Sequence, residues 1–153
     1  MKKHSIVLAA LLVAGCTPAA PPSATPAATP PAAKSEGHDH GNGPHGGTVA
    51  DWGGGKYHAE FTVDHDKKEA TVYVLGGDAK TPAPIKAEKI TLSINDPAFQ
   101  ADLKAAPLDG EKDGMSSRFV GNHDNLGIVK EYAGTITGDI DGTPYAGDFK
   151  ELP

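Results

Sequence analysis

A histidine and a glutamate stand two residues apart in the run Tyr57-His58-Ala59-Glu60-Phe61, and this pair is the first place where the sequence could do chemistry. Apolar and polar residues alternate in the run, which is typical of a β-strand with one face toward a core. The two polar side chains then project from the opposite face, where a neutral imidazole and a carboxylate could share one divalent cation. The alternative is a solvated strand face, because half-exposed strands carry polar residues outward by default.

Further histidines are candidates to complete such a site. His45 directly precedes Gly46-Gly47, and glycines adopt the backbone angles needed to fold a ligand back onto a sheet. His38 and His40 lie in a Gly- and His-rich tract that could supply mobile ligands, unless the tract is an ordinary soluble linker. His123 lies in a turn-rich loop, where its alternative role is that of a capped loop histidine. The sequence predicts metal ligation by His45, His58 and Glu60, with His38, His40 and His123 as possible additional ligands.

The types of donor atom available limit which metals the site could hold. Imidazole and carboxylate together suit Zn²⁺, Cu²⁺ or Ni²⁺. The single cysteine, Cys16, leaves the folded part with neither a disulfide nor a thiolate metal site, and Met115 is a lone thioether that is treated as packing. The run Asp64-His65-Asp66 lacks the glycine and the closing glutamate of an EF-hand loop. The expected cofactor is therefore one divalent transition metal.

Cys16 has a chemistry of its own, because it ends a run with the layout of an export signal. Lys2 and Lys3 are followed by an apolar stretch from Ile6 to Val13 and then by two small residues before the cysteine. This arrangement resembles the lipobox of bacterial lipoproteins, which implies cleavage before Cys16 and acylation of its thiol. A transmembrane anchor is the alternative, but it needs about 20 apolar residues and the stretch reaches Pro18 well before that.

The charge balance limits the partners of the mature chain. Without residues 1–15, 138 residues remain, with 12 basic and 20 acidic side chains. A phosphate backbone would be repelled by this charge, and no basic cluster offsets it, so nucleic acid is excluded as a partner. Membrane attachment must come from acyl chains on Cys16. Thr17 rather than aspartate follows that cysteine, which indicates the outer membrane, facing the periplasm, if the host is diderm.

Composition divides the chain into three parts. Residues 1–15 are the expected signal peptide, and residues 16–47 are expected to be the lipidated cysteine followed by a disordered tether. The tether is Pro- and Ala-rich from Thr17 to Glu36 and Gly- and His-rich after it, with little apolar surface to offset the entropy of ordering. Residues 48–153 are the expected folded domain.

Short alternating segments between turn residues characterise the domain. They predict an all-β fold, a small antiparallel β-sandwich of seven or eight strands or a small barrel. Asp141-Gly142 is the strongest hairpin signal, and Pro97 to Ala106 is the only competing helical stretch. Strands are predicted near Thr48 to Trp52, Lys56 to Asp64, Glu69 to Leu75, Ile85 to Asn95, Phe99 to Lys104, Ser116 to Gly121, Glu131 to Ile140 and Thr143 to Lys150.

Alternation within these strands also predicts which side chains form the core. The inward positions carry large apolar residues, whereas their neighbours are mostly polar. Trp52 is expected to close one end. The predicted core consists of Tyr57, Ala59, Phe61, Val63, Val72, Val74, Ile90, Leu92, Ile94, Phe119, Ile136 and Phe149.

The stretch from His45 to about Ile94 carries a family resemblance. It contains His-Gly-Gly-Thr-Val, Lys-Tyr-His-Ala-Glu-Phe, Thr-Val-Tyr-Val-Leu and Pro-Ile-Lys-Ala-Glu-Lys-Ile-Thr-Leu. It is similar to small exported domains that occur alone as lipoproteins or beside the periplasmic adaptors of heavy-metal efflux systems. The resemblance implies a β-sandwich metal-handling module, with His45, His58 and Glu60 as the matching positions.

These features favour a non-catalytic, membrane-tethered module that binds a divalent metal in the cell envelope, accessory to metal efflux or homeostasis. The alternative is a structural or interaction lipoprotein in which the histidines are incidental. An enzyme is not expected, because no nucleophile elbow, phosphate loop or His-Glu-x-x-His helix is present. A copper–zinc superoxide dismutase would need a His-x-His strand and more histidines than the three that follow His45.

Overall fold

The computed structural model describes residues 41–151 of the chain and builds them around eight β-strands. Each strand lies where the alternating segments predict one, within a few residues at either end. A short 3₁₀ helix, Asp124–Gly127, lies between the sixth and seventh strands. The strands are β1 (Thr48–Trp52), β2 (Tyr57–Asp64), β3 (Glu69–Leu75), β4 (Lys89–Asn95), β5 (Ala98–Ala105), β6 (Arg118–Asn122), β7 (Ala133–Ile140) and β8 (Thr143–Lys150).

All eight strands belong to one antiparallel sheet in the order β1-β2-β3-β6-β5-β4-β7-β8. The sheet curls until its two outermost strands, β1 and β8, come together. Gly147 of β8 packs so closely against the Asp51 carbonyl and the Trp52 indole that a side-chain carbon there would collide with β1. The prediction of an all-β antiparallel fold is confirmed.

The core fills the inside of the curled sheet. Because side chains alternate across a strand, one face of each strand supplies the apolar interior. Every residue predicted for the core lies there, with Tyr57 and Val63 partly buried at its border. Trp52 is fully buried, and its indole N–H donates to the Ile136 carbonyl of β7 at 3.1 Å. Core additions that the alternation did not single out include Leu103, Leu126 and Tyr132.

Three local expectations have clear outcomes. The Asp141-Gly142 hairpin is confirmed, since both residues have positive φ, 52° and 78°, as a type I′ turn requires. The strand predicted from Ile85 begins only at Lys89. Ile85 instead exchanges both backbone hydrogen bonds with Ser116 in an isolated bridge. The stretch Pro97 to Ala106, which competed as a helix, is almost entirely strand β5.

Strand β1 begins at Thr48, but the residues just before it differ from a free tether. Asn42 forms a bridge with Thr48, so the chain is folded back against the strand. The expected signal peptide, Cys16, the Pro/Ala stretch and His38 and His40 all lie outside the described residues. Among residues 41–151, no helix is long and apolar enough to span a bilayer.

Candidate functional site

His58 and Glu60 lie on the outer face of the sheet, as the alternation predicts, yet both are buried. Glu60 is 0% exposed and His58 is 2% exposed. The strand register places Glu60 between Val49 of β1 and Tyr73 of β3, and places His58 between Asp51 and Leu75. These two rows form a second layer outside the core, in which buried Asp51, His58 and Glu60 lie beside apolar Val49 and Leu75 and half-buried Tyr73. The expectation of a solvated strand face does not describe this pair.

A tight hairpin made by residues 42–48 covers Glu60. The Gly43 N–H donates to the Gly47 carbonyl at 2.8 Å, and the Gly46 N–H donates to the Gly43 carbonyl at 3.0 Å. Gly43 lies directly against the Glu60 carboxyl group and Gly47 against the Phe61 carbonyl, with no space at either position for a side-chain carbon. The glycines therefore let the chain descend onto β2, as the sequence predicts for the approach of His45.

Both oxygens of the Glu60 carboxylate are engaged by this hairpin. Oε1 accepts the backbone N–H groups of His45 at 2.8 Å and of Gly47 at 2.9 Å. Oε2 lies 2.7 Å from Nδ1 of the His45 ring. A buried carboxylate needs such donors, because burying an unpaired charge is costly. The carboxylate is thus the anchor that orders the hairpin.

The His45 ring is held from a second direction by Tyr73. The two rings stack with centroids 3.6 Å apart and planes 7° from parallel. About a third of the His45 side chain, 34%, remains exposed. The imidazole is therefore fixed in position and still accessible, which is the arrangement of a group that binds a cation or transfers a proton.

His58 belongs to a different buried unit. Its Nδ1–H donates to the Gly76 carbonyl at 2.8 Å, and its Nε2 lies 3.0 Å from Oδ1 of Asp51. Both side chains of this pair are almost completely buried. His58 and Glu60 are neighbours on the strand, but they have separate partners. Direct metal ligation by His58 would require its present contacts to be broken.

Sequence reasoning did not single out Asp51 or Tyr73. A three-residue turn at Gly53-Gly54-Gly55 would pair Ala50 with His58, whereas the structure pairs Asp51 with His58. The hairpin loop has four residues, from Gly53 to Lys56, and this extra length shifts the pairing by one residue. The signal that could have found Asp51 was the loop length, because register in a hairpin follows the turn.

His123 has the structural role of a capping loop histidine, which the sequence offered as the alternative to metal ligation. It is the N-cap of the 3₁₀ helix, where its side chain accepts the Asn125 N–H on Nδ1 at 3.1 Å. Its ring stacks on Phe99 with centroids 4.1 Å apart. Within residues 41–151, no group of three or more His, Cys, Asp or Glu side chains is arranged to hold a metal ion.

A groove of about 410 Å³ lies between the residue 42–48 hairpin and the loop that follows β3. Asp78 shapes that loop, because its carboxylate accepts the Thr81 hydroxyl at 2.6 Å and the N–H groups of Thr81 and Lys80. These bonds, the hydroxyl first, lower the pKa of Asp78 to about 2. The groove is lined by Asn42, Gly43, Pro44, Val49, Asp78, Ala79 and Lys80.

Comparison with known proteins adds no family to this geometry. No protein-family model matches the chain, and neither the curated proteins nor the solved structures include a significant match to it.

Proposed function

We propose that this protein is a membrane-tethered lipoprotein of the cell envelope that binds a divalent transition metal, Zn²⁺, Cu²⁺ or Ni²⁺, at His45. The single observation that carries the proposal is the 2.7 Å contact between His45 Nδ1 and the buried Glu60 carboxylate. Histidines that ligate metals nearly always pair their second ring nitrogen with a carboxylate, a carbonyl or water, and the partner orients the ring. An accessible imidazole held in this way fits a metal ligand.

The remaining ligands are proposed to come from the residues just before the hairpin. His40 is two residues from Asn42, which lines the groove. An extended chain therefore limits the distance between the Cα atoms of these two residues to about 7 Å. His38 is four residues away and has about twice that reach. Two imidazoles from this tract together with His45 would give the nitrogen-rich set that Zn²⁺ and Cu²⁺ favour. Glu60 contributes orientation in this proposal, and His58 supports the layer beneath.

Acylation of Cys16 would hold such a module at the membrane, facing the periplasm in a diderm host. The proposed role is non-catalytic: the module captures or presents the metal, and an envelope efflux component is the proposed partner. The negative charge of the mature chain, with 12 basic and 20 acidic side chains, supports a cationic cargo.

Isothermal titration of Zn²⁺ and Cu²⁺ into the full chain tests the metal proposal. We expect saturable binding at one site in the wild type and loss of that binding in His45→Ala. His65→Gln is the matched control, because His65 is also half-buried and hydrogen-bonded, to the Leu126 carbonyl, but lies outside the proposed site. Absence of binding in the wild type, or unchanged binding in His45→Ala, would contradict the proposal.

A double variant tests the other proposed ligands. Replacing His38 and His40 together by Asn should weaken binding without abolishing it, because a flexible segment loses conformational entropy when it joins a site. If this double variant removes all binding while His45→Ala changes nothing, the metal belongs to the upstream tract alone and the folded domain is only a carrier.

A further inference from the structure

We infer that Glu60 is a positioning residue that fixes the tautomer of His45, so that Nε2 is the nitrogen with a free electron pair. The inference deepens the proposed metal site and rests on it for its purpose, but its test reads the tautomer itself. Nothing in the pattern His-x-Glu shows this role, because the spacing suggests that both side chains are ligands.

The first step is that the two Glu60 oxygens bind different groups of the hairpin. Oε1 already accepts two backbone N–H groups, from His45 and Gly47. Oε2 faces His45 Nδ1 at 2.7 Å, a distance typical of a charge-assisted hydrogen bond. When Glu60 is a carboxylate it has no hydrogen to donate, so this hydrogen bond requires the proton to be on His45 Nδ1. In the neutral imidazole the other nitrogen, Nε2, is then the one that can bind a metal.

The second step is that the ring cannot easily turn to another arrangement. Tyr73 lies flat against it, with planes 7° from parallel. A half-turn of the ring would replace Nδ1 by a carbon opposite Oε2 and leave a buried carboxylate oxygen without its donor. Glu60 is itself fixed, because it is 0% exposed and Gly43 packs directly on its carboxyl group. Ring orientation and tautomer are thus determined together.

The third step is an isosteric change that reverses the tautomer. In Glu60→Gln the oxygen of the amide must occupy the Oε1 position, because two backbone N–H groups point at it. The amide nitrogen then faces His45 Nδ1 and donates to it, which moves the imidazole proton to Nε2. The shape of the side chain is preserved, but the nitrogen that should bind metal now carries a hydrogen. Loss of such an orienting partner typically lowers metal affinity by about 10- to 100-fold.

The test is nuclear magnetic resonance of the full chain labelled with ¹⁵N histidine. Long-range ¹H–¹⁵N correlations distinguish a protonated ring nitrogen from an unprotonated one at neutral pH. We expect His45 in the wild type to be protonated on Nδ1, and in Glu60→Gln to be protonated on Nε2. Glu111→Gln is the matched control, since Glu111 also accepts backbone N–H groups, from Leu108 and Ser117, without contacting a histidine. It should leave the His45 signals unchanged.

The same samples separate this inference from the proposed function. Protonation of wild-type His45 on Nε2, or an unchanged tautomer in a folded Glu60→Gln, would overturn the role of Glu60. If Glu60→Gln does not fold, the wild-type tautomer alone decides. Adding Zn²⁺ should then shift Nε2 of the wild type selectively and bind at least tenfold more weakly to Glu60→Gln. The expected tautomers with no response to Zn²⁺ would support the positioning role and contradict the metal proposal.

Discussion

Asp51 and His58 form the most deeply buried pair of ionisable side chains in the described part of the chain, with side-chain exposures of 1% and 2%. Taking two such groups out of water is costly, and their contact with each other, together with the bond from His58 Nδ1–H to the Gly76 carbonyl, only offsets that cost. We therefore expect the pair to add little stability beyond what apolar residues of similar volume would provide at these positions.

Removing one partner of this pair should be far more harmful than removing both. We expect His58→Leu to lower the free energy of unfolding by about 3–5 kcal/mol, because it leaves Asp51 buried without its imidazole. Asp51→Leu combined with His58→Leu should recover most of that loss, since apolar residues of similar volume replace buried pairs well. Urea unfolding followed by circular dichroism measures both. A double variant no more stable than His58→Leu would show that the buried charge is not the cause.

Glu151 should give the opposite pH dependence from most carboxylates. It is partly buried beside Tyr132, whose N–H it accepts at 2.7 Å, and burial raises its pKa. A raised folded-state pKa means that its contribution to stability is complete below the unfolded value, about 4.3, and is lost as the pH rises through the folded value. Glu151→Gln should therefore gain stability over the wild type on going from pH 4 to pH 7.

Asp78→Asn is the control for this comparison of unfolding free energies between pH 4 and pH 7, because the pKa of Asp78 is shifted in the opposite direction from that of Glu151. The pKa of Asp78 is lowered to about 2 by the Thr81 hydroxyl and by backbone N–H groups. Its contribution is present above the unfolded value and is lost as the pH falls toward 2, so this variant should be less stable than the wild type at pH 7. Parallel pH profiles for the two variants would contradict both assignments.

At the level of the elements, alternation and turn residues were sufficient for the number and order of the strands and for most of the core. The bounds of β1, β3 and β8 agree with the prediction to the residue, and Asp141-Gly142 makes the expected turn. Alternation reports which face a residue takes, but the partner across the strand depends on the length of the loop. This is why the outward position of His58 was predicted and its partner Asp51 was not.

The hairpin before β1 shows a second limit of reasoning from local sequence. Residues 41–47 are rich in glycine and have no apolar side chain large enough to order them, so their composition indicates a tether. Their order comes from a tertiary contact, because the Glu60 carboxylate accepts two N–H groups from this segment and contacts the His45 ring. Gly46-Gly47 predicted that the chain can fold His45 back onto the sheet, but the direct contact of His45 with Glu60 was not predicted. Metal binding and the roles of His38, His40 and Cys16 stay predictions.

For the whole molecule, the decisive contact is the one between the first and last strands. β1 and β8 are the two ends of the sheet order, and at Gly147 they lie so close that a side-chain carbon would collide with the Asp51 carbonyl. Exposed sheet edges invite pairing with other chains, so bringing the two edges together protects both. The Trp52 indole reaches past this point to hydrogen-bond Ile136 in β7, which ties the first strand to the last hairpin.

Gly147→Ala should therefore open this contact and destabilise the domain by about 1–3 kcal/mol, the usual effect of overpacking. The added methyl group has no space beside the Asp51 carbonyl, and backbone atoms cannot move aside as a flexible side chain would. Differential scanning calorimetry measures the change. Gly76→Ala is the matched control, because its methyl group would meet only ordinary contacts at 3.7 Å. Equal losses in the two variants would show that the effect is a general one of replacing glycine.

The position of Trp52 also makes its fluorescence a probe of the contact between β1 and β8. It is the only tryptophan of the chain, it is fully buried, and it sits where β1 meets β8. Its fluorescence therefore comes from one known place, and the emission of an indole moves to longer wavelength when water reaches the ring. Separation of β1 from β8 would change that emission while the other strand pairs, and the circular dichroism that they dominate, stay intact.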